Sequence, residues 1–172
     1  VLIAGLGGVG MMGFSFLRTR SQHAPVVLDI DAKKREYALA NGASVAFDPR
    51  EATTRKALMA ASNGGFFGAI DFVGSGETAT LAYGTLAKGG RLVVIGLIGG
   101  EMKISVPTFP LKGTSILGSY VGTLKEAQAM LALVKTGKVP PIPVSTRPLA
   151  EAQAALDDLK AGRTVGRTVL VP

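Results

Sequence analysis

The chain predicts an α/β fold: a doubly wound parallel sheet of six strands with helices on both faces, extended at the C-terminus by a further helix and strand. Two observations carry most of this. An apolar strand, read as VLIAGLGGVG over Val1 to Gly10, runs straight into a glycine-rich turn, and an acid, Asp29, ends the next apolar stretch, Val26 to Leu28. Beyond them, short apolar runs alternate with helical segments through brief punctuated turns, the pattern of a parallel sheet whose crossovers are helices.

The first strand feeds Gly5, Gly7 and Gly10. A sharp strand-to-helix turn needs a residue free of Cβ constraints, which Gly5 supplies. A side chain at Gly7 would keep a diphosphate away from the main chain, and Gly10 lets the new helix lie close against the strand. That helix, starting near Gly8, carries Met11, Met12, Phe14 and Leu17 before Arg18 and Arg20. Its unpaired N–H groups and the positive end of its dipole face the turn, so a pyrophosphate is stabilised with no Lys or Arg in the loop. A lone G-x-G-x-x-G occurs in ordinary tight turns. The strand before it, the helix after it and an acid about 20 residues on make it a dinucleotide-binding signature and the fold Rossmann-type.

A carboxylate at Asp29 accepts hydrogen bonds from both hydroxyls of an adenosine ribose and repels a 2′-phosphate, so it reads as NAD rather than NADP. Asp31 is the rival candidate. It directly precedes AKKREYALANG and reads as the N-cap of the next helix, whose end Gly42 marks. Lys33, Lys34 and Arg35 read as a solvated helix face from which one cation could reach the ribose.

Ser44 to Phe47 is the expected third strand. Asp48-Pro49-Arg50-Glu51 then offers an N-cap, a Pro at the first helical position and an acid in the first turn, opening a helix to about Ser62. Ala69 to Val73 is the fourth strand, followed by a Gly74-Ser75-Gly76 turn and a helix to about Ala87 that Lys88-Gly89-Gly90 stops. The fifth strand, Arg91 to Gly96, reads as apolar, hence central and buried on both faces. After a loop holding Pro107 and Pro110, Ser115 to Val121 is the sixth. Right-handed crossovers give the strand order 3-2-1-4-5-6.

Thr123 and Glu126 form a capping box for a helix to about Thr136, ended by Gly137. A proline-rich strand-like piece follows from Val139 to Val144, then an amphipathic helix from Leu149 to Ala161. The closing strand, Val165 to Val171, has no place in a six-stranded sheet already complete and is expected to pair outside this chain. The expected division is therefore a binding domain over residues 1–121 and a C-terminal segment over residues 122–172.

The bulk composition bounds function. A hydrophobic content of 47% over 172 residues makes one sizeable core. The net charge of +7 comes from basic residues scattered singly or in small groups, with three Tyr, seven Phe and no Trp. That argues against a nucleic-acid surface and for solubility or attraction of an anionic cofactor. With no Cys, disulfides and cysteine-bearing zinc or redox sites are excluded within this chain, and the single His, His23, sits in a polar turn. Val1 to Leu17 is uncharged but holds five glycines and falls short of the roughly 20 residues of a membrane span. It also lacks the basic leader of a signal peptide. No membrane partner and a cytoplasmic location are the expectations. The chain opens at Val1, inside a strand, so further residues are expected upstream.

GLGGVG, the LDID at the end of the second strand, DFVGS, LAKGGRLVVIG and the closing LKAGRTVGRTVLVP together resemble the zinc-dependent medium-chain alcohol dehydrogenases, over essentially the whole chain. The resemblance implies a subunit of two domains: a mostly N-terminal catalytic domain with zinc on Cys and His ligands, and a domain that binds NAD(H). This chain resembles the second domain plus the tail that returns to the first. It would then carry no catalytic residue and no metal ligand, and alone would be inactive. Hydride transfer between a small-molecule alcohol or carbonyl substrate and NAD, and a homodimer joined across the edge of the sixth strand, are further implications.

Residue by residue, the resemblance puts Gly5, Gly7, Gly8, Val9 and Gly10 at the pyrophosphate and the inner side of the nicotinamide. It puts Asp29 with Lys34 at the adenosine ribose, and Val73 beside the adenine. Main-chain groups of Ile95, Gly96, Leu97, Ser119 and Val121 would hold the nicotinamide carboxamide, and Arg167 would reach the pyrophosphate from the tail. Three other readings stay open. A zinc-free NADPH-dependent quinone or enone reductase of the same superfamily has Asp29 against it. A methyltransferase using S-adenosylmethionine has Val9 where its last turn glycine belongs. A non-catalytic dinucleotide-binding module that senses the NADH/NAD ratio has nothing against it.

Overall fold

The computed structural model describes residues Val1–Pro172. Six strands form one parallel sheet: β1 (Leu2–Ala4), β2 (Val26–Leu28), β3 (Val45–Phe47), β4 (Phe66–Asp71), β5 (Leu86–Val94) and β6 (Ser115–Gly118). Their spatial order is β3-β2-β1-β4-β5-β6, the doubly wound order expected. β3 and β6 are its edges. Helices α1 (Gly8–Arg20), α2 (Ala32–Ala40), α3 (Thr54–Ala61), α4 (Gly76–Gly84) and α5 (Thr108–Lys112) make the crossovers.

Strand side chains alternate between the two faces, and each face has its own core. Leu2, Ala4, Val26 and Leu28 join Leu58 of α3 and Ala82 and Tyr83 of α4 in one cluster. Ile3 and Val27 point the other way, into Met11 and Phe14 of α1 and Ala38 of α2. The first strands read as continuous apolar runs because both faces are covered.

Strand limits shift: β4 ends at Asp71 rather than Val73, β6 at Gly118 rather than Val121, and the strand expected over Val139 to Val144 starts only at Val144. Four larger details also differ from the sequence reading. First, α3 opens at Thr54 rather than at Asp48-Pro49. The Asp48 carboxylate accepts from the Arg50 N–H at 3.0 Å and from its guanidinium, and the Asp48 carbonyl accepts from the Thr54 hydroxyl. Asp48 thus closes a turn and an ion pair rather than capping a helix. Second, α4 ends at Gly84 and β5 begins at Leu86, with the register slipping between Phe66↔Leu86 and Gly68↔Arg91. Lys88-Gly89-Gly90 is therefore an irregularity inside the strand, with Gly89 at φ 74°. Third, β5 is not buried on both faces. Leu92 is inaccessible and Val93 and Val94 are half-buried, and α6 (Leu124–Lys135) buries none of its own residues.

The fourth difference concerns the tail, where the closing strand finds a partner within the chain. β8 (Arg167–Val171) pairs in parallel with β7 (Val144–Pro148) through α7 (Ala152–Lys160), a strand–helix–strand unit that local apolar patterning does not reveal. Arg147 and Arg163 each reach Asp158 at 2.6 Å and hold its carboxyl below the usual carboxylate range, tying α7 to both flanking segments. The segment before β7 lies on the sheet domain itself. Ile142 is buried with Ile3, Met11 and Phe14, and the Tyr37 hydroxyl donates to the Pro141 carbonyl at 3.3 Å. No helix is long and apolar enough to cross a membrane.

Candidate functional site

The strand order reverses between β1 and β4. In open α/β sheets, ligands bind outside the carboxyl ends of the strands at such a point. Here the β1–α1 turn occupies it. Gly5 has φ 88°, which a residue with a Cβ adopts at a cost, and a Cβ there would stand 2.6 Å from Val73 Cγ2. Gly10 is closer still: its Cβ would fall on the Gly5 carbonyl oxygen, so helix and strand meet backbone to backbone. Gly7 faces the opposite situation, with no atom within 4 Å of a Cβ. Open space therefore lies over the main chain at that residue. α1 starts there with no side-chain cap and no acid in its first turn, so its first N–H groups and positive dipole end have no side-chain acceptor. These features fit a diphosphate. The guanidinium of Arg167 lies over Gly8, brought there by β8, whose first N–H donates to the Pro143 carbonyl at 3.0 Å. Val9 is half-exposed beside it.

Asp29 stands next to this turn, 9% exposed. Its Oδ2 accepts from the Leu6 N–H at 2.6 Å and its Oδ1 from the Asp31 N–H at 2.9 Å. A carboxylate has about four acceptor positions. Two are spent on fixing the side chain, which leaves capacity for two hydroxyl donors. Asp31 is the N-cap of α2, accepting from the Lys33 N–H at 2.8 Å, and Lys34 turns its ammonium toward Asp31 at 4.0 Å.

A second group gathers at the ends of β4 and β5. Asp71 is fully buried, and its Oδ1 accepts from the N–H groups of Val73 at 2.9 Å and Gly74 at 3.0 Å. Its Oδ2 takes the Thr78 hydroxyl at 2.9 Å, and its carbonyl accepts from Ile95 at 2.8 Å and Gly96 at 3.1 Å. Gly74 and Gly96 lie backbone on backbone, each leaving no room for a Cβ on the other. Val73, which follows β4, has its side chain and N–H against Gly5. Ser119 donates to the Val94 carbonyl at 2.9 Å, while Leu97 and Val121 are exposed without a packing partner. Val121 has φ 51°, a strained conformation for a β-branched residue. The chain thus brings Gly5, Gly7, Gly8, Gly10, Val73 and Arg167 to one turn, sets Asp29 beside it, and joins Ile95 and Gly96 to it through Asp71.

Asp71 reads from the sequence as hydrogen-bonded structure inside a strand, and its bonds organise this crest of strand ends; a group beside Asp29 is one that sequence reasoning misses. There, Arg35 Nη1 donates to the Asp29 carbonyl at 2.8 Å, and Arg50 Nη2 donates to the Ile30 carbonyl at 3.1 Å. Both guanidinium groups converge on Asp48: Arg50 at 2.6 Å and Arg35 at 3.5 Å. The Arg50 hydrogen bonds hold the Asp48 carboxyl far below the usual carboxylate range. The Asp-x-Arg spacing of Asp48 and Arg50 was a usable signal; nothing local linked Arg35 to them.

No three His, Cys, Asp or Glu side chains stand close enough to hold a metal ion. A cavity of about 1130 Å³ lies on the flank of α4, between Glu77 and Lys103, and includes none of the site residues placed above. A smaller one, about 170 Å³, opens between Gly8, Arg167 and α7.

Comparison with known proteins bears on this crest. Residues 8–136 match the family described as "Zinc-binding dehydrogenase". An NAD-dependent alcohol dehydrogenase of Sulfurisphaera tokodaii is 30% identical over 173 aligned residues, covering 100% of this chain and 50% of that protein. A D-arabinose 1-dehydrogenase (NADP(+)) of Saccharolobus solfataricus is 26% identical, covering 100% and 49%. The crystal structure of the alcohol dehydrogenase from Aeropyrum pernix superposes with a TM-score of 0.91 at 31% identity, covering 99% of this chain and 50% of that one. The chain spans about half the length of the relatives it matches. With the glycine turn, the strand order and the family match in agreement, the chain belongs to the zinc-binding dehydrogenase family.

Proposed function

We propose that this chain binds NAD(H) along the crest and serves as the cofactor-holding half of an alcohol dehydrogenase whose zinc is carried on residues outside it. The observation that carries the reading is the Asp29 carboxylate, fixed at the glycine turn by the Leu6 and Asp31 N–H groups with acceptor capacity to spare. In this reading the N–H groups of Gly8, Val9 and Gly10 and the Arg167 guanidinium receive the diphosphate, and Asp29 accepts from the ribose hydroxyls with Lys34 alongside. Ile95, Gly96, Leu97, Ser119 and Val121 orient the nicotinamide through their main chain, and Val73 closes the turn over Gly5. The bound nicotinamide supplies a hydride acceptor or donor. This chain's residues hold it in place, exclude water from one side of the ring and provide no proton acceptor for a substrate.

The preference for NAD is testable. Each hydrogen bond from a ribose hydroxyl to a carboxylate contributes about 1.5–3 kcal/mol, so NADH should bind at least about tenfold more tightly than NADPH. Asp29→Asn should shrink that ratio. Fluorescence titration of both reduced cofactors reads it; equal affinities in the parent protein would favour the NADP-linked reading, which the match to an NADP(+)-linked relative keeps in view.

The division of labour is testable separately. A catalytic zinc needs about three converging protein ligands, and this chain has no Cys and one His. With zinc and NAD supplied, residues 1–172 alone should produce no NADH from primary or secondary alcohols. Turnover above a denatured control would put the reaction centre on this chain.

A further inference from the structure

We propose that Asp48 sets the cofactor preference of the crest from beneath the ribose position, by pairing two guanidinium groups that would otherwise receive a 2′-phosphate. The inference rests on the crest being a dinucleotide site. β3 ends beside β2, where the Asp29 N–H donates to the Phe47 carbonyl at 3.2 Å, so Asp48 follows directly on the residue paired with the ribose-reading acid. From there it gathers Arg35 and Arg50, which at the same time hold the carbonyls of Asp29 and Ile30. Both cations are therefore pinned to the two residues that follow β2.

Their exposure differs in a useful way. The Arg50 side chain is 67% exposed and that of Arg35 is 21% exposed, while Asp48 is at 9%. Arg50 is thus an accessible planar fork at the rim, the geometry that binds phosphate bidentately. Its fork is already filled: Nε and Nη2 lie 2.9 Å and 2.6 Å from the two oxygens of Asp48. The ion pairs at this end join Asp31 to Lys34 and Asp48 to Arg35 and Arg50, with Asp29 beside them. Neutralising Asp48 removes the anion that both guanidinium groups share and leaves the Arg50 fork on a neutral acceptor. Asp29 refuses a 2′-phosphate by repulsion; Asp48 refuses it by occupying its receptors.

Asp48→Asn tests this, since an amide oxygen still accepts from the Arg50 N–H and Nε and keeps the turn. In the intact protein, the NADPH dissociation constant should fall about fivefold or more while that for NADH changes less than about twofold. The double variant Asp48→Asn with Arg50→Gln should return NADPH binding to near the parent value, a reversal that a structural role for Asp48 would not produce. If Asp48→Asn does not fold, Arg50→Gln alone decides, because its side chain is exposed. Unmasking the Asp48 charge should weaken NADPH about threefold and spare NADH, and unchanged NADPH binding would overturn the proposal. Asp29→Asn separates the two levels. If it relaxes the preference and Asp48→Asn does not, the role of Asp48 is wrong and the crest reading stands. If Asp29→Asn leaves the preference untouched, the crest reading fails, and the proposal with it.

Discussion

Gly10→Ala is expected to cost the protein about 3 kcal/mol and to weaken cofactor binding on the order of a hundredfold. The added Cβ would fall on the carbonyl oxygen of Gly5, a backbone atom in a turn that Val73 and the Leu28 carbonyl already hold. Neither side can yield as a flexible side chain could. The N-terminus of α1 must then lift off β1, which moves the N–H groups that face the diphosphate. For a chain of this length each kcal/mol shifts the melting temperature by about 2–4 °C, so a drop of roughly 6–12 °C should accompany the loss of affinity. Gly7→Ala is the internal comparison, since its Cβ meets no protein atom within 4 Å. It should leave melting nearly unchanged and reduce cofactor affinity alone. Equal melting of the Gly10 variant and the parent would refute the backbone contact.

Asp71→Ala should be comparably damaging, for a different reason. Removing the carboxylate leaves the N–H groups of Val73 and Gly74 without their acceptor around a residue with no solvent exposure, while the Thr78 hydroxyl loses its shorter partner. Each buried group so orphaned costs about 1–3 kcal/mol, and the sum should reach roughly 3–5 kcal/mol after relaxation. Asp71→Asn keeps an oxygen for the two N–H groups, and the Thr78 hydroxyl can turn its proton to the Ser75 carbonyl, 3.2 Å away. That variant should lose only about 1 kcal/mol. Denaturant melts of the two variants side by side check the difference. Equal losses would mean that the buried volume, and not the hydrogen bonds, holds the β4–β5 crest.

The parts of the site legible in the sequence are those whose constraint is local. Gly5 and Gly10 announce a turn because no other residue fits their backbone, and Asp29 announces itself by ending an apolar strand. Asp31 was readable as an N-cap because its acceptor meets a donor two residues on. Where a residue had two local uses, the sequence could not arbitrate. Asp48 followed by Pro49 is a good helix start, yet the ion pair with Arg50 and Arg35 took its carboxylate and moved the helix start to Thr54. The fifth strand was read as buried on both faces from its apolar run alone, though burial depends on whether a helix arrives to cover it.

By itself, then, the amino-acid order determined the α/β class, the 3-2-1-4-5-6 winding and the glycine turn with its acid, since each follows from periodicity, handedness and steric exclusion within a few residues. Tertiary structure alone decided the rest. It paired β8 with β7 rather than outside the chain, laid Arg167 over Gly8 from far along the sequence, and gathered Arg35, Asp48 and Arg50 at the main chain of Asp29 and Ile30. Apart from Asp48 and Arg50, two positions apart, those contacts join residues that no local pattern connects. They form because burying the two faces of the sheet brings strand ends together, and charged groups brought together under partial burial must find partners.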